Sequence, residues 1–200
     1  DLVLQFLITP TVVPMSVFPV RTWVLTGTET GNNWMPFQEY FVKHQGKPRI
    51  YGIEYRGSQQ ASVPLQLDMA LTSDSIRAVI ICPSNPFLSI DPIMAVPGMV
   101  DLLRSCGAPV VAVSPIVGGQ ALKGPTAKIM KERGIEVDVQ AIADHYHGII
   151  DGLVIDNKDR GQFECVQATG VQVAVTNTVM LSLEDRKQLA QDVLSFTKKI

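Results

Sequence analysis

Three stretches of the chain carry residue types that could do chemistry. In CPSNPFLSIDP, residues 82–92, Ser84, Asn85 and Ser89 are small polar groups able to donate to phosphate oxygens or to the edge of a nucleobase, while Pro86 and its neighbouring prolines fix the path. The competing reading is a rigid turn, since Asn and Ser in such a loop also bond their own backbone. In SPIVGGQALKGP, residues 114–125, Gly118 and Gly119 would let a backbone approach an anion closely, and Lys123 stands just before a helix start. Neither G-x-x-x-x-G-K-[ST] nor G-x-G-x-x-G occurs, so spacing alone slightly favours a plain turn with a solvated lysine. In DHYHG, residues 144–148, His145 and His147 are two apart and would leave a helix on different faces. Joint metal ligation is therefore disfavoured, and a cap or surface role outweighs a place in a pocket. G-x-S-x-G is absent, which argues against a nucleophile-elbow hydrolase.

A fourth stretch is aromatic. MPFQEYFVKHQGKP sets Phe37, Tyr40 and Phe41 at helical spacing, with Gln38 and Glu39 on another face. Such a stripe is usually core, and it could also wall a flat ring system. Upstream, Arg21 and Thr22 in PVRTWV could neutralise an anion or simply lie at the surface.

The elements that must hold these groups alternate. VRTWVLT from Val20, RIYGIEY from Arg49, RAVIICP from Arg77, PVVAVS from Pro109, IIDGLVID from Ile149 and VQVAVTN from Val171 read as strands, with helical spacing between them. The expected fold is α/β in a single domain over 1–200: a mainly parallel, Rossmann-like sheet with helices on both faces. The uninterrupted apolar character of AVII and VVAV predicts strands covered on both sides. Ser182 with Asp185 three residues on predicts a capping box before a last helix carrying Leu189, Val193 and Phe196. Gly124, Pro125 and Gly134 bracket a second helix, and Pro97 to Ser105 marks a third. In open parallel sheets ligands gather beyond the carboxyl ends of the strands, where the first two loops lie.

Bulk properties narrow the class. With 200 residues, 46% hydrophobic content and 17 basic against 19 acidic residues, the chain has enough apolar material for a core and no electrostatic footprint for nucleic acid. No apolar run approaches the roughly 20 residues of a bilayer-spanning helix. Three widely spaced cysteines, Cys82, Cys106 and Cys165, suit a reducing cytoplasm and read as small buried apolar residues. The opening DLVLQFLITPTVVPMS has no starting Met, basic n-region or cleavage site, so the expectation is a beginning cut from something longer.

Taken in order, PMS, PVRTWV, PFQEYFV, PSNPFLSIDPIMAVPGMVD, APVVAVSPIVGGQALKGP, ADHYHGIIDGLVID and TNTVML resemble the 2-phospho-L-lactate transferase (CofD) family over nearly the whole chain. The resemblance implies a transferase of deazaflavin coenzyme biosynthesis. The ribityl hydroxyl of 7,8-didemethyl-8-hydroxy-5-deazariboflavin would attack the phosphorus bearing the lactyl group of lactyl-2-diphospho-5'-guanosine, releasing GMP. It also implies Mg2+, two small-molecule substrates, no nucleic acid or membrane partner, and compatibility with a homodimer. Carried over by motif, Ser84, Asn85, Pro86, Ser89, Gly118, Gly119 and Lys123 would face the guanosine diphosphate part of the donor. Phe37, Gln38, Glu39, Tyr40, Arg21 and Thr22 would position the acceptor. Two departures follow. The family's glycine-rich GGTGG-type unit and the acidic residues that hold the metal have no counterpart here, so only the larger C-terminal part is expected, with metal ligands and catalytic residues unassigned. After PMS, Val17 and Phe18 stand where the family usually has an Asp. The alternatives are a CofD-like nucleotide-sugar-binding regulator and an inactive interaction module.

Overall fold

The computed structural model describes residues 11–28, 31–122 and 124–200. Strand β1 (Arg21–Thr28) is the middle of a three-stranded antiparallel sheet, between β2 (Gly31–Pro36) and β3 (Ile50–Arg56). Alternation puts Val24 and Met35 into the core, while the Arg56 guanidinium lies 4.0 Å over the ring of Trp23 and 5.5 Å from that of Trp34 on the other face. The β1–β3 register passes from Leu25↔Gly52 to Thr26↔Ile50, skipping Tyr51. That one-residue bulge keeps both Ile53 and Ile50 on the core side and leaves Tyr51 exposed. VRTWVLT and RIYGIEY are thus strands, but they belong to this separate antiparallel sheet and not to the parallel one.

The chain then runs through α1 (Leu65–Leu71), β4 (Val79–Ile81), α2 (Asp91–Met94), α3 (Met99–Ser105), β5 (Val110–Val113), the paired β6 (Ile116–Val117) and β7 (Gln120–Ala121), α4 (Thr126–Glu132), α5 (Val139–His145), β8 (Gly152–Asp156), α6 (Phe163–Gln167), β9 (Gln172–Thr176) and α7 (Leu183–Phe196). Four of these strands form a parallel sheet in the order β4-β5-β8-β9, flanked by helices, which is the expected α/β fold. Successive residues of a strand point to opposite faces, and both faces of β5 and β8 are covered. Val110, Ala112, Leu153 and Ile155 pack with Ile129, Met130, Ile142 and Ala143 of α4 and α5. Val111, Val113 and Val154 pack with Leu189, Val193 and Phe196 of α7. This two-sided burial is the reason AVII and VVAV carry no polar alternation.

Helix α7 begins as its sequence predicts: the Ser182 hydroxyl accepts from the Asp185 amide, and the Asp185 carboxylate accepts from the Ser182 amide at 2.8 Å. Helix α3 starts two residues later than Pro97, because Gly98 takes φ 84 and forms its N-cap. The aromatic segment forms a π-type turn, Glu39–Lys43. Cys82 and Cys165 are exposed, correcting the reading of buried cysteines. Cys82 lies one residue beyond the β4 ladder, where chain leaves the sheet, and only Cys106 is partly covered. Among the described residues no single helix is long and apolar enough to cross a membrane.

Candidate functional site

Because β4, β5, β8 and β9 are parallel, their carboxyl ends share one edge of the sheet, and the loops leaving them are brought together there. A recess of about 260 Å³ opens at this edge. One wall is the loop after β4, with Pro83, Ser84 and Asn85; its base includes Ser114 and Pro115 beyond β5; the opposite wall is Thr178–Leu181 beyond β9, and Leu122 and Thr126 complete it. Among the described residues its polar side chains are hydroxyls and a carboxamide, set in a wall that is more apolar than polar; the hydroxyls of Ser114 and Thr178 already donate to the Ile116 carbonyl and to Asp156.

The first wall is set by local chemistry. Asn85 Oδ1 accepts from the Leu88 amide at 3.1 Å, and Pro86 follows it, so a π-type turn over Pro86–Ile90 starts in a fixed direction. The other end of that carboxamide is different: Asn85 Nδ2 is buried and has no hydrogen-bond partner, which makes it the one such side-chain atom among the described residues. A buried donor left unpaired costs free energy. Beneath this loop Asp91 accepts from Tyr55 at 3.3 Å through Oδ2 and lies 2.8 Å from His145 Nε2 through Oδ1. The Tyr55 hydroxyl also lies 2.6 Å from the Phe87 carbonyl. Burial, with Asp91 second, pushes the hydroxyls of both Tyr55 and Tyr146 above the ordinary tyrosine range, so they stay protonated donors.

Two buried aspartates hold the other loops. Asp156, the last residue of β8, accepts from Thr178 N at 2.8 Å and Thr178 Oγ1 at 3.2 Å through Oδ2, and from Lys158 N at 3.0 Å through Oδ1. Asp159 accepts the Gly118 N–H with both oxygens, at 2.9 and 3.0 Å. Burial raises the Asp159 pKa above the ordinary carboxylate value, against the lowering effect of the Gly118 amide.

The sequence-derived candidates fare differently. Ser84 and Asn85 line the recess; Pro86 is buried just behind them, and Ser89 is exposed at the far end of the turn and outside the lining. Gly118 and Gly119, with φ 58 and 71, form the two-residue turn of the β6–β7 hairpin, the backbone that only glycine adopts without strain at both positions. The Gly118 amide already holds Asp159, and neither glycine is in the lining of the recess. Lys123 lies outside the described residues.

The acceptor candidates sit elsewhere, on the antiparallel sheet and its turn. Tyr40 is completely buried, its hydroxyl 2.7 Å from the Gly46 carbonyl and 3.1 Å from Lys128 Nζ, so it supports that surface from within the core. Phe37 stacks on Phe41 at 5.6 Å between ring centroids, Glu39 pairs with Lys43 at 3.1 Å, and Gln38 and Arg21 are exposed with Thr22 half-buried. His145 and His147 do not converge: the first lies against Asp91 and Phe87 beside a second recess of about 510 Å³, and the second is exposed. Sequence reading missed Thr178, Ser114, Thr126, Asp156 and Asp159. The signal for the aspartates is a D-x-x-D pair, DNKD, directly after the apolar strand GLVI; for Thr178 it is the TNTVML segment at the end of β9.

Fold and site together describe an open-sheet α/β protein whose cleft lies at the carboxyl edge of a parallel sheet. The family model for 2-phospho-L-lactate transferase CofD matches residues 3–195, and the chain belongs to that family. It is 42% identical over 189 residues to the 2-phospho-L-lactate transferase of Methanococcoides burtonii, covering 94% of this chain and 59% of that protein. The Methanocaldococcus jannaschii 2-phospho-L-lactate transferase is 36% identical, with 92% and 57% covered. A protein named phosphoenolpyruvate transferase from Streptomyces griseus is 32% identical, with 94% and 58% covered. The chain therefore spans under two thirds of the length of these curated relatives. In fold it is similar to a crystal structure of a Bacillus halodurans protein, with a TM-score of 0.63 at 14% identity over 92% of this chain and 61% of that one. A second crystal structure, described as a upf0052 family member from the same organism, gives 0.61 at 15%, covering 91% of this chain and 60% of that one.

Proposed function

We propose that this chain supplies the donor-binding cleft of a phospho-acid transferase, taking the guanosine diphosphate part of lactyl-2-diphospho-5'-guanosine or of the corresponding phosphoenolpyruvyl donor. The observation that carries the reading is the recess at the carboxyl edge, walled on one side by Ser84 and by Asn85 with its unpartnered Nδ2 and on the other by Thr178. Family membership and the names of the relatives support the reaction class. In that reaction the ribityl hydroxyl of the deazaflavin forms a new P–O bond at the phosphorus bearing the acid, the bond to GMP breaks, and the hydroxyl proton is released. The contribution of these residues is to bind and align the leaving nucleotide, the effect that dominates phosphoryl-type transfer.

Magnesium is part of this proposal for the family, but the residues present do not fit an ion. Among the described residues no three Asp, Glu, His or Cys side chains gather, and Asp156 and Asp159 are spent on backbone amides. Ser84, Asn85 and Thr178 are the residues proposed to touch the donor, and the face carrying Phe37 and Gln38 is proposed for the acceptor.

Calorimetric titration of the folded chain with GDP and Mg2+, and in parallel with a UDP-sugar, tests the reading. Saturable heat with GDP and a rise in melting temperature are expected, and Asn85→Ala should weaken binding about tenfold or more. No heat and no thermal shift with GDP, or preference for the UDP-sugar, would overturn it.

A further inference from the structure

The turn after β8 bears a division of labour that the donor reading does not require. Asp156 and Asp159 are each about 3% exposed, and both lie in or beside the 3₁₀ turn Asn157–Gln162. Burying two carboxylates three residues apart is costly, and apolar side chains could fill the same space. What the carboxylates do instead is reach loops far away in sequence. Asp156 takes both the amide and the hydroxyl of Thr178, fixing the β9 wall of the recess. Asp159 takes the Gly118 amide with both oxygens, fixing the β6–β7 hairpin that leads into Leu122, part of the rim. Neither aspartate lines the recess itself. A single short turn at the end of a central strand therefore sets the placement of two of the loops around the cleft.

We infer that Asp156 and Asp159 are positioning residues of the cleft: the turn after β8 is a joint whose two carboxylates hold the Thr178 wall and the Gly118 hairpin at the separation a bound nucleoside diphosphate needs. The affinity arm of this inference rests on the donor reading above; the placement arm stands on the hydrogen bonds alone. Supporting residues of this kind act through the geometry of the groups that touch the ligand.

The test uses the whole chain with GDP and Mg2+ as the probe. It compares Asp156→Ala, Asp159→Asn and Asp159→Ala by calorimetry and by NMR amide exchange at Gly118 and Thr178, with melting temperatures recorded for each. Asp156→Ala removes the acceptor of the Thr178 amide and hydroxyl, so the Thr178 amide should lose protection and GDP affinity should fall about tenfold. Asp159→Ala should expose the Gly118 amide with a similar loss. Asp159→Asn keeps one oxygen for that amide and should lose no more than about threefold. Thr176→Val, which removes the Thr176–Asp192 bond elsewhere on β9, should lower stability with GDP affinity unchanged. If Asp156→Ala does not fold, the Asp159 pair carries the test. Folded variants with wild-type exchange and wild-type affinity would overturn the inference. If the unmutated chain does not bind GDP, the donor reading fails, and exchange at the two amides decides the joint: lost protection upholds it and retained protection overturns it.

Discussion

Asp159 shows at a single side chain how a held loop and a stability cost arise from the same carboxylate. Its pKa is raised chiefly by burial, with Asp156 and Asp138 adding to the rise, while the Gly118 amide and Lys158 oppose it. The folded state therefore binds a proton that the unfolded chain, titrating near about 3.9, gives up. Stability must fall as pH rises from the unfolded value through the folded one, since the unfolded state binds fewer protons over that interval. Urea midpoints measured across this acid interval should show that downward slope, and Asp159→Asn should flatten it. Asp185 runs the other way: the Ser182 hydroxyl and amide lower its pKa, so its contribution is present above about 3.9 and is lost as pH falls through the folded value. At this scale the sequence displays polar residues but not which of their atoms are spent. Asn85 and Gly118 both look like ligand donors in a string of letters; one keeps a free buried Nδ2, and the other has given its amide to a carboxylate 41 positions on.

Between elements, local rules were legible wherever partners are close in sequence. The capping box of α7 is written in four residues, and Ser182→Ala should lower stability by about 1 kcal/mol, read as a shift in the thermal midpoint. The junction of α4 with the antiparallel sheet is not written locally. There Lys128 Nζ lies 2.6 Å from Glu132 Oε1 and donates to the Pro48 carbonyl at 2.8 Å, while Glu132 Oε2 accepts from the Ile50 amide at 3.0 Å. Glu132→Ala leaves the Ile50 amide and the Lys128 ammonium without this acceptor and should cost about 1–3 kcal/mol in denaturant unfolding. Six strands were equally legible from apolar runs, whereas β2, the β6–β7 pair and strand partnership were not. VRTWVLT and VQVAVTN are similar strings, yet one pairs antiparallel beneath Arg56 and the other parallel to β8.

Across the molecule, one cluster of buried side chains reaches from Val24, Met35, Tyr40 and Ile50 of the antiparallel sheet and its turn, through Ile129 and Met130 of α4, to Val110 and Leu153 of the parallel sheet. Met130 is 1% exposed within it, and Met130→Ala should cost about 2–5 kcal/mol. The chain's two tryptophans, Trp23 and Trp34, both lie in the antiparallel sheet, so their fluorescence reports that sheet while far-ultraviolet circular dichroism is weighted to the helices. The two melting curves should coincide in the unmutated chain and shift together in Met130→Ala; separate transitions would show that the shared cluster does not couple the sheets.

By itself the sequence determined the α/β class, six of the strands, the last helix with its cap, and membership of a transferase family. Each of these is encoded in periodicity, in residues three or four apart, or in ordered motifs. Only the tertiary structure decided that Thr178 faces Ser84 and Asn85 across a recess, that Gly118 is bound to Asp159, and that β1 and β3 join β2 in a sheet of their own. The physical reason is that hydrogen bonds and strand ladders join residues tens of positions apart, and which donor meets which acceptor is settled by how the covered faces of the sheet pack.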